Sequence, residues 1–421
     1  SRTNFSGSNI YQGAVILPFV ENKNLYALFH MDGKLVDANI GYIGTHLYRS
    51  IIDMDLNNGL GSVVERKKII LEENLFYGRL QAVHHANGRD WWILLPNQIS
   101  NFSTGMYSIL FSQSEEEVVQ FREYSEPIFK GLGQSVVSPD GNKYAICNSV
   151  TLNSVPAVSL FNFDRCSGEL FNQMDRSFTQ SGVFSTGVAF SGDSRLLYLT
   201  AFDTIYQFDT YVENSLDHEI IVASYDGFLD SIFPVPTWFY LCQLAPDGKI
   251  YISIPNGARF LHHIDFPNRY GSDCKVIQHG TQIPNYNGGS LPYFPNFRLG
   301  PIDGSLCDTL SINNLPIANF RIDQDSLDSM SIEFTDLSTN EQDSWFWEFG
   351  DGNISNEINP KHTYTDKGTF HICLTVSNEF GSNTSCDSLQ LNYYTLTQSI
   401  SESLLKVYPN PCLDHLIISI D

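Results

Sequence analysis

The stretch SPDGNKY at residues 138–144 returns twice farther along the chain, as SGDSRLLY at 191–198 and APDGKIY at 245–251. The aspartates of successive copies are 53 and 54 positions apart. In each copy a short apolar segment leads into a turn of Asp, Gly or Asn, residues that tolerate positive φ at low cost, and a second apolar segment follows. Repetition at this spacing predicts that one structural unit is built several times in succession.

Each unit is expected to be a small antiparallel sheet. Apolar residues alternate with a period near two, and a third strand in each copy ends in an apolar–acidic pair, at 163–164, 208–209 and 264–265. About four strands per fifty residues is the period of a β-propeller blade. Weaker copies of the turn lie at 21–26 and 86–92, which brings the recognisable blades to five.

The sequence therefore predicts an all-β fold in which residues 1–303 form a β-propeller. Such rings usually contain about six or seven blades, so a count of five is short. The segment SLPYFPNF at 290–297 is expected to supply a strand of another blade. We also expect part of the propeller to be missing at the N-terminal side.

The composition narrows the class of protein. The chain has 421 residues, which suits two or three domains, and a formal net charge of −23. An acidic surface repels phosphate backbones and argues against a nucleic-acid partner. The simplest interpretation of the acidity is solubility; the alternative is that acidic loops hold a divalent cation, with Ca²⁺ the expected cofactor. No run of eighteen or more uncharged apolar residues is present, so no membrane span is predicted.

A second pattern follows the repeats. The segments are WFWEFGDG at 345–352, PKHTY at 360–364 and LTVSN at 374–378. Trp347 and Phe349 alternate with polar neighbours and should point into a core, while the Gly-Asp-Gly that follows makes a tight turn. These motifs resemble the PKD domain, which implies an immunoglobulin-like β-sandwich over 315–393. Asp351 in the turn is a minor candidate for a ligand contact.

Two further resemblances concern secretion. QLAPDGKIYISIPN at 243–256 and the segment 290–310 resemble the propellers of large secreted Bacteroidetes proteins, some of them gliding-motility-associated. KVYPNP at 406–411 and the alternating LIISI at 416–420 resemble the first strand of a type IX secretion C-terminal sorting domain. The resemblance implies type IX secretion machinery as a partner and a secreted or outer-membrane cell-surface location. The sorting segment is assigned to 406–421, with linkers at 304–314 and 394–405.

The eight cysteines form no CxxC zinc pattern and fit disulfides in an oxidising compartment. Cys373 and Cys386 are equally far from the centre of a predicted hairpin, so they should face each other closely enough for a disulfide. Cys147 and Cys166 bracket another possible hairpin and are a second candidate pair. The alternative for both pairs is buried free thiols.

Histidines and carboxylates do not define a catalytic site in the sequence. His84-His85 and His262-His263 are adjacent pairs, and neighbours on a strand point to opposite faces, so one pair cannot readily chelate one metal. One His from each pair could still meet at the propeller axis. The run 115–117 of three glutamates is expected to be solvated. No GxSxG elbow, Walker loop or dinucleotide fingerprint is present, and a metal site stays unknown.

Candidate contact and modification residues come from aromatic and Asp-Ser/Thr patterns. Trp238 and Tyr293 lie beside Pro-rich sequence and are candidates to stack on a sugar at the mouth of the ring. The pattern Asp, then Ser or Thr, then an apolar residue resembles the O-glycosylation pattern of Bacteroidetes surface proteins. The candidate acceptors are Thr204, Ser231, Thr309, Ser326, Ser329 and Ser388.

The function expected from this layout is non-catalytic adhesion or recognition, with the propeller as binding face and the PKD domain as spacer. The ligand would be a surface polysaccharide or a protein. One alternative is a structural subunit of a surface filament or sheath, which would self-associate through an exposed strand edge. A second is a secreted propeller hydrolase or lyase, marked by carboxylates or histidines that converge at the channel. Folds alone do not decide among these alternatives.

Overall fold

The computed structural model describes residues 11–391 with short gaps, together with 405–408 and 417–420. The gaps are 21, 38–40, 77, 99–103, 113–115, 125–132, 149–156, 178–184, 231–233, 256 and 325–329. The regular structure of the described part is almost all β, with three single-turn 3₁₀ helices at Asn57–Gly59, Ser215–Asp217 and Gly271–Cys274. None of the helices in these described ranges is long and apolar enough to cross a lipid bilayer.

The first part of the chain forms five successive units. The first contains β1 Ala14–Pro18, β2 Leu25–Met31, β3 Lys34–Asp37, β4 Gly41–Asp53 and β5 Ser62–Phe76. The second contains β6 Gln81–His84, β7 Trp91–Gln98, β8 Thr104–Phe111 and β9 Val118–Tyr124. The third contains β10 Ser135–Val137, β11 Lys143–Cys147, β12 Val158–Asp164 and β13 Glu169–Arg176. The fourth contains β14 Ser185–Phe190, β15 Leu196–Ala201, β16 Thr204–Asp209 and β17 Ile220–Ser224, and the fifth contains β18 Cys242–Leu244, β19 Ile250–Ile252, β20 Ala258–Ile264 and β21 Val276–Asn287.

Each unit is an antiparallel meander whose principal strands pair in chain order. The first unit follows β1-β2-β4-β5, with β3 paired to β4, and one contact between Leu75 and Asn97 joins it to the second. The segment 290–297 forms no strand, contrary to the expectation that it would extend another blade. Its side chains instead pack on earlier units: Phe297 lies edge-on to Trp91, and Asn296 donates a hydrogen bond to the Pro139 carbonyl.

The repeated turn is closed by the same two kinds of backbone hydrogen bond in four units. In the third unit the Ser138 amide bonds to the Lys143 carbonyl, and the Gly141 amide bonds to the Ser138 carbonyl. Equivalent bonds recur in the turns at 85–90 and 191–196, and the turn at 245–249 has the same pair of bonds in a loop one residue shorter. Gly141 has φ +76°, a conformation that glycine adopts without steric cost. The equivalent position has positive φ in all four turns and is Gly in three of them, whereas in the fourth unit it is Ser194, with φ +64°.

The core consists of apolar layers between successive units. The first layer contains Phe29 and Phe111 from units one and two, and the second contains Trp92 and Phe161 from units two and three. The third and fourth layers join units three to four and four to five in the same way. Successive sheets therefore bury their facing sides against each other, which explains why one repeat could not be stable alone.

A β-sandwich follows the five units. One sheet contains β22 Phe320–Gln324, β23 Ser331–Asp336 and β26 Lys361–Thr363. The other contains β25 Ile354–Ser355, β24 Ser344–Glu348, β27 Gly368–Asn378 and β28 Gly381–Leu391. Trp347 and Phe349 are buried in the core between the sheets, as their alternation predicts. Beyond the sandwich, β29 Leu405–Tyr408 pairs with β30 Ile417–Ile420.

The disulfides agree with the sequence in one case and correct it in the other. Cys373 lies opposite Cys386 on the β27–β28 hairpin, and the two are bonded. Cys166 is bonded to Cys307, 141 residues away, and the expected partner Cys147 is a buried free thiol. The Cys147–Cys166 prediction is therefore wrong, because Cys166 lies in the turn after β12 and reaches the segment that follows the fifth unit.

Candidate functional site

Buried amides connect the innermost strands of the five units. The Gln134 side-chain oxygen accepts hydrogen bonds from the Val188 and Cys242 amides, at 3.2 and 3.1 Å. Its amide nitrogen donates to the Cys242 carbonyl and to the Tyr11 hydroxyl. Gln134 therefore joins the beginning of the third unit to the fourth and fifth units.

The same network joins the beginning of the chain to its later units. Gln12 and Ser135 exchange two hydrogen bonds, of 2.6 and 3.1 Å, and Gln81 donates a third to the Ser135 carbonyl at 2.7 Å. The Tyr11 hydroxyl also donates to the Gln243 side chain at 3.2 Å. These amides and hydroxyls bind one another, and the buried Arg79 lies beside them: its carbonyl accepts from the Ser135 hydroxyl, and its guanidinium donates to the Cys147 carbonyl and the Asn148 side chain.

The two predicted sugar-stacking residues lie in different surroundings. The Tyr293 hydroxyl donates to the Gln81 side chain at 2.9 Å and accepts from the Ala82 amide at 3.1 Å, and burial raises the pKa of Tyr293. The Tyr293 hydroxyl is thus part of the internal network, and its ring is half-buried. A sugar contact by Tyr293 stays a prediction. Trp238 is half-buried against Phe202, with ring centroids 5.4 Å apart. A ligand contact by Trp238 stays a prediction.

The first histidine pair packs inside the second unit. The His84 ring lies 3.6 Å from that of Trp91, and burial, followed by the charge of Arg165, lowers the pKa of His84 to about 3. His85 accepts a hydrogen bond from the Asn87 amide and contacts the Cys166 carbonyl through its other nitrogen. Both rings therefore stabilise the fold in this arrangement.

The second pair also makes contacts within the fold. His262 donates to the Thr237 carbonyl at 3.0 Å and accepts from the His279 amide at 3.2 Å, so its neutral tautomer is fixed. Burial, followed by the charge of His279, lowers the pKa of His262 to about 3. His263 contacts the Thr281 hydroxyl and the Asp265 carboxylate. The two rings take different partners, as alternation along a strand requires.

An Asp–His pair that the sequence did not indicate bridges the fourth and fifth units. Asp226 follows β17 and contacts His279 of β21 at 3.0 Å. Phe228 stacks on the His279 ring at 4.3 Å. Burial opposes ionisation of Asp226, but hydrogen bonds from the Phe228 amide and His279 bring its pKa below the usual value. No sequence motif marks this pair, because its members are 53 residues apart.

The glutamate run is only partly as expected. Glu115 lies outside the described residues, and Glu116 is exposed. The Glu117 carboxylate is buried between Arg49 and Lys68, and the Lys68 contact measures 2.9 Å. The expectation of a solvated run is wrong for Glu117, because a cationic pair on β4 and β5 neutralises it.

The linker after the fifth unit is attached to the second and third units. The Arg165 side chain donates to the carbonyls of His84, His85 and Gly300. The Ile302 amide bonds to the Ala86 carbonyl at 2.8 Å. The Cys166–Cys307 disulfide adds a covalent connection a few residues later.

The sandwich in turn contacts the fifth unit. Arg321 of β22 donates to the carbonyls of Asp247 and Asp265, at 2.7 and 2.8 Å. Arg269 pairs with Glu333 of β23. The guanidinium groups of Arg321 and Arg269 both lie over the Phe266 ring, at 5.4 and 4.0 Å. These contacts define the docking interface between the sandwich and the repeated units.

Inside the sandwich, Asp351 makes contacts that belong to the turn. It accepts a 2.7 Å contact from His362 and a hydrogen bond from the Asn353 amide. The His362 ring stacks on Phe349 at 4.3 Å. Although burial opposes ionisation, these hydrogen bonds bring the pKa of Asp351 below the usual value. Asp351 thus stabilises the turn; a ligand contact by it stays a prediction.

The candidate glycosylation residues differ in accessibility. Thr309 and Ser388 are exposed. Thr204 is partly buried, and its hydroxyl donates to the Asp203 carboxylate at 3.0 Å. Ser231, Ser326 and Ser329 lie outside the described residues.

The geometry defines an all-β protein with propeller-like sheets followed by a β-sandwich. Residues 313–393 match the sequence model of the PKD domain family, so the sandwich is a PKD domain. Collagenase ColQ1 of Bacillus cereus (strain Q1) is 29% identical over 108 residues, which is 23% of this chain and 11% of the collagenase. The chain thus spans only about a tenth of the length of that curated relative.

Solved structures are similar to each part. The PKD1 domain of Vibrio anguillarum Epp is 32% identical, with a TM-score of 0.18, and the match covers 19% of this chain and 96% of that one. The β-propeller domain of Myceliophteria thermophila Cps50 (Swd1) is 10% identical, with a TM-score of 0.34, and the match covers 91% of this chain and 98% of that one. The two disulfides are typical of extracellular proteins.

Proposed function

We propose that this chain is an exported or cell-surface recognition protein without catalytic activity. The propeller-like units would present the binding face, and the PKD domain would act as a spacer. The observation that carries this proposal is the docking interface, in which Arg321 and Arg269 hold the sandwich against the fifth unit. A spacer fixed at one end sets the direction in which the binding face points.

The interface also has the physical properties of a lasting contact. Arg321 satisfies two backbone carbonyls with one planar guanidinium and lies over Phe266, a combination that lysine could not reproduce. The linker has its own attachment through the Cys166–Cys307 disulfide. Two separate attachments support a fixed orientation better than either one would alone.

The first experiment incubates the purified chain with immobilised polysaccharides, peptides and host-type glycans, with and without chelator. Both retention of the protein and release of soluble product are measured. Recognition predicts retention without product. Product that disappears with chelator would instead identify a metal-dependent enzyme. The absence of both retention and product would contradict the recognition proposal.

One structural feature favours the alternative of a self-associating surface subunit. β9 is the outermost strand of the second unit, and no other described strand pairs with its free edge. Its side chains Val118, Val119 and Phe121 are exposed. Edges of this kind are templates for pairing with another chain. Light scattering after size exclusion tests the idea: Val119→Lys should abolish any self-association, and Phe171→Lys on the outer strand β13 should leave it unchanged.

We propose type IX secretion as the export route. The KVYPNP motif at 406–411 and the pairing of β29 with β30 support this proposal. In a Bacteroidetes host, the chain extended by a complete sorting domain should reach the medium or the surface. Deletion of 406–421 together with that extension should leave it in the periplasm. Equal export of both forms would exclude this route.

A further inference from the structure

The outward face of the β27–β28 hairpin carries three side chains that metals bind. His371 and Cys373 are two positions apart on β27 and so lie on one face, and Cys386 is directly opposite Cys373 on β28. One ligand atom from each lies within 4.8 Å of the other two. The alternate residues Ile372 and Leu374 are buried in the sandwich core, so the face with the three ligands is turned away from it.

These side chains suit Zn²⁺. Two thiolates and an imidazole are ligands that zinc takes in proteins. With Zn–S near 2.3 Å and Zn–N near 2.0 Å, ligand atoms of a tetrahedral site are separated by about 3.3 to 3.8 Å. The imidazole nitrogen lies within 4.8 Å of both sulfurs. The two sulfurs are bonded to each other in the oxidised chain and would move apart to this spacing after reduction. His371 and Cys386 are exposed, which leaves room for water as a fourth ligand.

We propose that this hairpin carries a redox-gated zinc site. The Cys373–Cys386 disulfide crosslinks the two strands in the oxidised chain, and Zn²⁺ held by both thiolates and His371 crosslinks them after reduction. A dithiol reductant supplies two electrons and two protons to the disulfide and becomes a cyclic disulfide itself. Each new thiol releases its proton when Zn²⁺ binds, so two protons leave for each metal bound.

Other cysteines are poorer candidates. Cys147, Cys242 and Cys274 are buried free thiols. Burial raises the pKa of Cys147 and of Cys274 to about 11, which disfavours the thiolate that binds metal. Within the described part of the chain, His371, Cys373 and Cys386 are the one group of three such ligands close enough to share an ion. The inference does not rest on the proposed recognition role.

The test uses the full chain carrying Cys166→Ser and Cys307→Ser, so that the hairpin holds the one remaining described disulfide. Co²⁺ replaces Zn²⁺ as a probe, because its thiolate charge-transfer and tetrahedral absorption bands report the ligands. A phosphine reduces the disulfide and becomes its oxide with oxygen from water. We expect no bands before reduction, one Co²⁺ per chain after it, and displacement by Zn²⁺. A reduced chain without these bands would overturn the proposal.

Variants then assign the ligands. Cys373→Ser should abolish the bands, and His371→Ala should weaken binding by about tenfold or more. The matched control is His218→Ala, at an exposed histidine of the fourth unit, which should bind as the parent does. Binding that survives in Cys373→Ser would place the metal elsewhere and contradict the site. The chain that keeps His371, Cys373 and Cys386 supplies a second measurement. Reduction should lower its midpoint of unfolding by denaturant, and Zn²⁺ should raise that midpoint again. A midpoint that Zn²⁺ leaves unchanged would contradict the proposal.

Discussion

At the scale of single residues, burial has changed the role of groups that look ordinary in the sequence. Glu117 belongs to an acidic run, yet only 5% of its side chain is exposed, and Arg49 and Lys68 neutralise its charge. His84 belongs to an adjacent pair that suggests metal binding, yet it packs against Trp91 as a neutral ring. In both cases the surroundings decide the chemistry of the side chain.

Glu117→Gln should lower the free energy of unfolding by about 2 kcal/mol, because Lys68 and Arg49 lose a buried carboxylate, although Arg49 keeps its ion pair with Glu65. Chemical denaturation at neutral pH measures the effect. The matched control is Glu116→Gln at the exposed neighbour, expected to change stability by less than about 0.5 kcal/mol. Equal effects of the two variants would show that the cluster contributes nothing.

His84 should make the fold sensitive to mild acid. Its pKa is lowered from 6.5 to about 3, so between these values the unfolded chain binds a proton that the folded chain does not. Above pH 6.5 His84 is neutral in both states and does not favour unfolding. Below pH 6.5 protonation of His84 in the unfolded chain lowers the free energy of unfolding. As the pH falls from 7 to 5, the free energy of unfolding of His84→Phe should therefore decrease by about 2 kcal/mol less than that of the parent. His218→Phe, at an exposed position, should follow the parent curve, and an unchanged slope in His84→Phe would contradict the assignment.

At the scale of elements, the repeated turn combines a local and a tertiary role. Gly248 has φ +76° and closes the turn between β18 and β19. A Cβ atom there would also lie 2.5 Å from the Leu337 side chain of the PKD domain. The same glycine thus allows both the turn and the close approach of the second domain.

Gly248→Ala should lower the free energy of unfolding by more than the strain of a positive φ alone would. Gly227→Ala is the matched control, because Gly227 has φ +85° and no atom within 4 Å of the added methyl group. Both should lose about 1 kcal/mol from positive φ, and Gly248→Ala should lose about 1 kcal/mol more through the contact with Leu337. Equal losses of free energy of unfolding in the two variants, measured by denaturant titration, would mean that Leu337 moves aside at no cost.

At the scale of the whole molecule, the position of the PKD domain depends on connections between distant segments. The Cys166–Cys307 disulfide spans 141 residues and ties the linker to the third unit. Arg165 holds the same linker through the Gly300 carbonyl. The sandwich is thus attached by its linker as well as by the docking interface.

Replacement of Cys166 and Cys307 by serine should lower the free energy of unfolding by roughly 2 to 4 kcal/mol. It should also speed limited proteolysis between residues 304 and 314 and increase the radius of gyration in X-ray scattering. Cys373→Ser with Cys386→Ser removes the other disulfide and should leave cleavage of the linker unchanged. Identical cleavage rates in all three proteins would exclude a restraining role for the linker disulfide.

The sequence by itself determined the structural features that depend only on residues close together in the chain. Alternation predicted the strands and the buried Trp347 and Phe349, the Asp and Gly residues predicted the turns, and hairpin symmetry predicted the pairing of Cys373 with Cys386. Strand period and turn stereochemistry are local properties, so a sequence records them directly.

Only the tertiary structure decided which distant segments meet. It paired Cys166 with Cys307, buried Glu117 between two cations, and placed Tyr293 in the central network beside Gln81. These partners are separated by between 49 and 212 residues along the chain. Their contacts follow from the stacking of whole sheets, and no local periodicity encodes the order in which side chains from different sheets come together.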